Sequence, residues 1–188
     1  MKNLLIILLA VFISIPFLLG AGKVSIEDVQ LSDEALIKEI QKYYPTESIE
    51  IFNSSEGRFA AVYHYSTYTF ALSTADHSKF KGYKGYSNLI IFVDINGNVK
   101  RIVFVDSDDT RPWVNMVLQS DILSELSKQN LNSDERPSYL VTGATVTSTV
   151  FNKSINRTLE WFKDMYPYLK IMDSTIIIMD SLNVERNN

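Results

Sequence analysis

The chain has 188 residues and a net charge of −4 with no long basic run, which argues against nucleic acid as a partner. Apolar residues make up 46% and charged residues 21%, a balance that supports one globular domain with a real core. Cysteines are absent and there are only 2 histidines, so disulfides, thiolate zinc sites, cysteine-ligated iron–sulfur clusters and thiol catalysis are excluded, and a His-rich metal site is disfavoured.

In chain order, the first feature is an uncharged stretch from Asn3 to Gly22, framed by Lys2 and Lys23, within which Leu4–Leu19 is almost entirely apolar, broken by Ser14 and Pro16. A membrane span takes roughly 20 such residues. Gly20-Ala21-Gly22 offers the small residues of a cleavage site. Residues 1–22 are therefore expected to be a membrane anchor or a signal peptide. Lys2 favours an N-terminus inside, which leaves residues 23–188 as one domain outside the cytoplasmic membrane. Residues 23–30 read as a linker.

Ser32 followed by Asp33 and Glu34 predicts a capped helix with acid in its first turn. Leu36, Ile37, Ile40 and Tyr44 mark its apolar face, and Pro45 ends it. Residues 49–52, 58–65 and 68–72 alternate and are rich in aromatic and branched side chains, which predicts strands. Residues 53–57 read as a turn. Lys81-Gly82-Tyr83-Lys84-Gly85-Tyr86 is a glycine–tyrosine repeat without the lysine and hydroxyl of a phosphate loop. Residues 89–93 and 99–105 flank Asp94-Ile95-Asn96-Gly97-Asn98, a hairpin whose Asn-Gly pair supplies positive φ. Both strands are nearly continuous in apolar residues, so the hairpin is expected centrally in a sheet. The acids of Asp106-Ser107-Asp108-Asp109 lack the Gly and distal Glu of a calcium loop. Pro112 suits a first helical turn, and Trp113, Val117, Ile122 and Leu126 continue as an amphipathic pattern. Residues 129–138 read as a polar loop.

Val141-Thr142-Gly143-Ala144-Thr145-Val146-Thr147-Ser148-Thr149 is hydroxyl-rich and runs directly into a helical pattern. Phe151, Ile155, Leu159 and Phe162 form one buried face, with Thr147, Ser148 or Thr149 as N-cap and Pro167 as the end. A helix N-terminus of this kind presents N–H groups and positive potential to a phosphate. Residues 175–179 read as a last short strand or docking segment, and 183–188 as a polar tail. The expected fold class is α+β: a mostly antiparallel sheet with a central hairpin and flanking helices, preceded by the N-terminal membrane segment. No Ser-His-Asp spacing, Gly-x-Ser-x-Gly or His-Glu-x-x-His supports a hydrolase.

Thr142-Gly143-Ala144-Thr145, continued by Val146-Thr147-Ser148, resembles the flavinylation signature of FMN-binding domains. These occur in flavin-carrying components of the sodium-translocating NADH:quinone reductase and of the Rnf electron-transport complex. The likeness covers residues 43–168. It includes the glycine–tyrosine segment before the hairpin and Asp109-Thr110 where the family has Glu-Thr. The family's usual Asp, three residues before the motif opens, is Tyr139 here, and Arg111 and Trp113 alter the loop after Thr110.

The resemblance implies FMN joined to Thr145 by a phosphoester bond. Thr142, Gly143, Ala144, Thr147 and Ser148 would surround the phosphate, and Thr110, Trp113, Tyr86 and Tyr83 would lie near the ring. It implies a membrane-anchored, extracytoplasmic electron carrier. Its partners would be a membrane redox complex or electron-transfer protein, with a flavin transferase for maturation. The alternatives are an exported binding module of the same fold without covalent flavin, and a reductase holding FMN non-covalently.

Overall fold

The computed structural model describes residues 30–186 except 55, 56 and 66, and the side chains as far as Leu169 apart from those of Ser54 and Tyr168. The expected anchor, the expected linker apart from Gln30, and the middle of the 53–57 turn lie outside the described residues. Among the described residues no helix is long and apolar enough to cross a membrane.

Helix α1 spans Asp33–Gln41, and the Ser32 hydroxyl accepts the Ala35 N–H as its cap. Strands β1 (Ser48–Ser54), β2 (Gly57–His64) and β3 (Thr67–Ser73) follow, then a single turn α2 (Thr74–His77). Strands β4 (Ser87–Asp94) and β5 (Val99–Ser107) lead to the short helices α3 (Arg111–Leu118) and α4 (Ile122–Leu126). Helix α5 spans Thr145–Arg186. The strands form one antiparallel meander in the order β1-β2-β3-β4-β5.

Strand alternation divides the core between two faces of this sheet. One face carries Ala60, Val62, Ala71, Ile90 and Phe92 and receives Leu36 and Ile40 of α1. The other carries Phe59, Phe70, Leu72, Leu89 and Ile91 and receives α3, α4 and α5. Phe151, Ile155, Leu159 and Phe162 of α5 are all fully buried there, each adding about 1.5–3 kcal/mol by burial.

The structure corrects several expectations. The 89–105 hairpin is not central, because β5 is an edge strand. Its apolar run has another cause: Val103 and Val105 face the α1 side while Ile102 and Phe104 face the α5 side, so helices cover both faces. The Trp113–Leu126 pattern breaks into α3 and α4, with Ser120 Oγ donating to the Val117 carbonyl at the junction. Residues 175–179 and most of the expected polar tail are helical, and α5 runs through Pro167. Tyr166 and Leu169 are packed on either side of that proline, and an established helix adds residues at little cost even where propensity favours a strand. Finally, α5 begins at Thr145, so Thr147, Ser148 and Thr149 lie inside it and none is its N-cap.

The hairpin turn carries its positive φ at Gly97 alone, at +82°. Gly97 N–H donates to the Asp94 carbonyl and Asp94 N–H to the Asn98 carbonyl, the pattern of a type I turn closed by a left-handed glycine. The 129–138 loop docks on this turn through Leu131 N–H to the Gly97 carbonyl, and Leu131 is fully buried.

Candidate site at the start of helix α5

The Thr-Gly-Ala-Thr segment folds as a tight turn directly before α5. Ala144 N–H donates to the Val141 carbonyl at 3.0 Å, and Gly143, third in that turn, has φ +84°. A type II turn demands positive φ at this position, where a side chain is strained. A Cβ on Gly143 would also stand 2.8 Å from Met116 Cε of α3.

The hydroxyls that follow point in different directions. Thr142 and Thr145 are exposed, whereas Ala144, Thr147 and Ser148 are buried. Residues two apart on a helix differ by about 200° around its axis, so Thr145 and Thr147 occupy opposite faces. Thr147 Oγ1 donates inward to Asp109 Oδ2 at 2.9 Å. Ser148 Oγ accepts the Val141 N–H at 3.2 Å and donates back to the Ala144 and Thr145 carbonyls. The hydroxyls expected to cap the helix thus tie it to its neighbours. Helical geometry leaves the first-turn N–H groups of Thr145, Val146 and Thr147 without an intrahelical acceptor.

Asp109 joins three segments that are remote in sequence. Beside Thr147, its Oδ1 accepts the Lys84 N–H at 3.1 Å. Its own N–H donates to Ser107 Oγ at 3.0 Å. Its carboxylate fills the space a side chain on Gly82 would need, since a Cβ there would lie 2.0 Å from Oδ2. Ser107 Oγ in turn donates to the Tyr86 carbonyl and pairs with Ser87 Oγ. The glycine–tyrosine loop, the Asp109-Thr110 loop and the start of α5 therefore meet at one buried carboxylate.

The expected ring-binding residues are less uniform. Thr110 is half-buried and its carbonyl opens α3 by accepting the Trp113 and Val114 N–H groups. Trp113 packs against the core. Tyr86 is half-buried beneath Lys81, whose Nζ lies 5.5 Å from the ring centre, and Tyr83 is 63% exposed. Around the α5 start the apolar side chains of Met116, Tyr139, Leu140 and Val146 are also exposed.

Tyr139, in the place of the family's Asp, is held through its backbone. Its N–H donates to Asn152 Oδ1 at 2.9 Å, and Asn152 Nδ2 donates to its carbonyl at 2.6 Å and to that of Ser148. Sequence reasoning missed Asn152 and matched Asp109 only to the Glu of the resembled family's loop, not to Thr147 and the 82–86 segment. Asn152 had one visible signal: it lies one helical turn beyond Ser148, a polar residue on a face otherwise bound for the interior.

Among the described residues no group of 3 or more His, Asp and Glu side chains gathers in a way that would hold a metal. The arrangement fits a phosphate ester better: an exposed hydroxyl at a helix start, first-turn amides, and a glycine that keeps the approach open. The Asp109 charge lies on the inner side of the first turn, away from Thr145. No protein-family model matches this chain, and no curated protein matches it.

Proposed function

We propose that this protein is a membrane-anchored extracytoplasmic flavoprotein that carries FMN on Thr145 and relays electrons to or from a membrane redox system. The single observation that supports this most is the division of the first helical turn. Thr145 is exposed, while Thr147 is fully buried and bonded to Asp109. Of these two hydroxyls, only that of Thr145 is accessible to a flavin transferase without opening the core.

Bound FMN would supply one- or two-electron transfer, and the chain would set its position and surroundings. Thr145 would hold the phosphoester, and the α5 dipole and first-turn amides would stabilise its charge. Asp109 would hold Thr147 and the 82–86 loop in place behind the site. Tyr83, Tyr86 and Thr110 would border the ring.

A specific observation favours a second reading, a module of the same fold without covalent flavin. Tyr139 stands where the resembled family has Asp, and it is 37% exposed close to the start of α5. Flavin colour separates these readings. After co-production with a flavin transferase, yellow protein whose colour survives denaturation and gel filtration supports the covalent carrier. Colour lost on denaturation supports non-covalent FMN, and colourless folded protein supports the module.

A further inference from the structure

Two observations coincide in the connection between α2 and β4. The first is the surface of Lys79-Phe80-Lys81-Gly82-Tyr83-Lys84. Lys79, Phe80, Lys81, Tyr83 and Lys84 are all exposed, with Phe80 at 38% and Tyr83 at 63%. None of these lysines makes an ion pair with a described residue. Lys153 of α5 joins them, with Nζ 5.7 Å from the Phe80 ring centre. Residues 79–84 hold three lysines and no acid; of the nearby acids, Asp109 is turned inward, and exposed Asp108 packs its Cβ toward Gly85. Lysines interleaved with protruding aromatics suit a lipid interface: the rings sit at headgroup depth and the amines meet anionic phosphates.

The second observation is where the described chain begins. Gln30 Nε2 donates to Asp76 Oδ1 at 2.8 Å, so the chain emerges close to Lys79. Residues 23–29 separate this point from the uncharged run ending at Gly22, and fully extended they reach only about 25 Å. Tyr65 lies at the other end of β2, roughly 25 Å further from the tether. An anchor at residues 3–22 therefore holds the α2 end of the sheet nearest the bilayer.

We propose that the loop of residues 79–84 docks on the anionic lipid surface of the membrane that holds residues 3–22. Phe80 and Tyr83 enter the interface, and Lys79, Lys81 and Lys84 meet lipid phosphates. The proposal rests on the anchor in the proposed function but not on the flavin. Lys84 N–H is bonded to Asp109, so docking also brings the start of α5 to the membrane face.

The chain has no cysteine, so one introduced thiol takes a spin label uniquely. The full chain is reconstituted in vesicles of phosphatidylcholine, with or without phosphatidylglycerol, and carries the label at Tyr83→Cys or Tyr65→Cys. The expected result is a gain in oxygen accessibility over an aqueous nickel reagent at position 83, in anionic vesicles only. Position 65 stays water-exposed in both. Changing Lys79, Lys81 and Lys84 together to Gln abolishes the gain. A label at 83 that stays as aqueous as that at 65 overturns the proposal and leaves the lysines to an acidic protein partner. A gain that survives the triple change overturns the lipid-phosphate contact. A chain that fails to float with the vesicles removes the anchor and overturns the docking, whether or not its mass shows bound flavin.

Discussion

Two buried carboxylates, those of Asp76 and Asp109, are stabilised by opposite means. The Asp76 side chain is fully buried and meets a full charge, with Arg58 Nε 2.8 Å from its Oδ2. Arg58 also bonds Asp33 of α1 and the Leu31 carbonyl, and the Gln30 amide completes the cluster. Asp109 meets no cation among the described residues; a hydroxyl, a backbone N–H and the positive end of α5 hold it. The first arrangement locks the chain's entry to the sheet, where a buried ion must be matched by another. The second uses neutral donors, so it organises loops around a helix start without placing a competing cation there. Structural charge and site charge are thus separated in the molecule.

Arg58→Met has the largest expected effect. It strands the Asp76 charge in the interior and is expected to cost about 3–5 kcal/mol in denaturant unfolding. Asp109→Ala has no such ion to strand. It leaves the Thr147 hydroxyl and the Lys84 N–H unpaired, with an expected loss of about 2 kcal/mol. Hydrogen exchange should quicken in residues 82–86 and the first turn of α5, and remain slow in β2. An equal loss from both substitutions would erase the distinction.

His77 beside the Arg58 cluster sharpens it through pH. Burial lowers its pKa from 6.5 to about 4, although its Nε2 bond to the Arg58 carbonyl works against the shift. The neutral form is therefore favoured on folding. Its contribution is fully present above the unfolded value and is lost as pH falls from 6.5 through about 4. The full loss is on the order of 3 kcal/mol. His77→Phe keeps an aromatic stack on Trp161, now 3.8 Å between ring centres, and should flatten the acid limb of stability against pH. The smallest expected effect is Ser32→Ala, about 1 kcal/mol, from loss of the α1 cap. It should leave both carboxylate clusters unchanged.

The elements legible in the sequence were those set by local rules. Ser32 capped α1 as its spacing implied, the alternating runs became β1 to β3, and Gly97 took the positive φ of the hairpin. Legibility failed where tertiary contacts override local preference. Pro167 reads as a stop, but Tyr166 donates to the Ile95 carbonyl in the hairpin turn and the helix continues. The β5 run reads as central because apolarity reports burial on both faces and not position in the sheet. At the site, the motif residues could be named, but not the carboxylate that gathers them. Asp109 and Thr147 lie 38 residues apart, beyond the reach of any helical or strand periodicity. The opposite facing of Thr145 and Thr147 depended on where the helix starts, and hydroxyls that resemble caps obscured that.

The most direct test is the intact mass of the full chain co-produced with a flavin transferase, followed by peptide mapping. The expected result is an added mass of FMN minus water on the peptide containing Thr145, absent in Thr145→Ala and retained in Asp109→Asn. An unmodified mass from folded protein would contradict it, as would a flavin mapped to the buried Thr147.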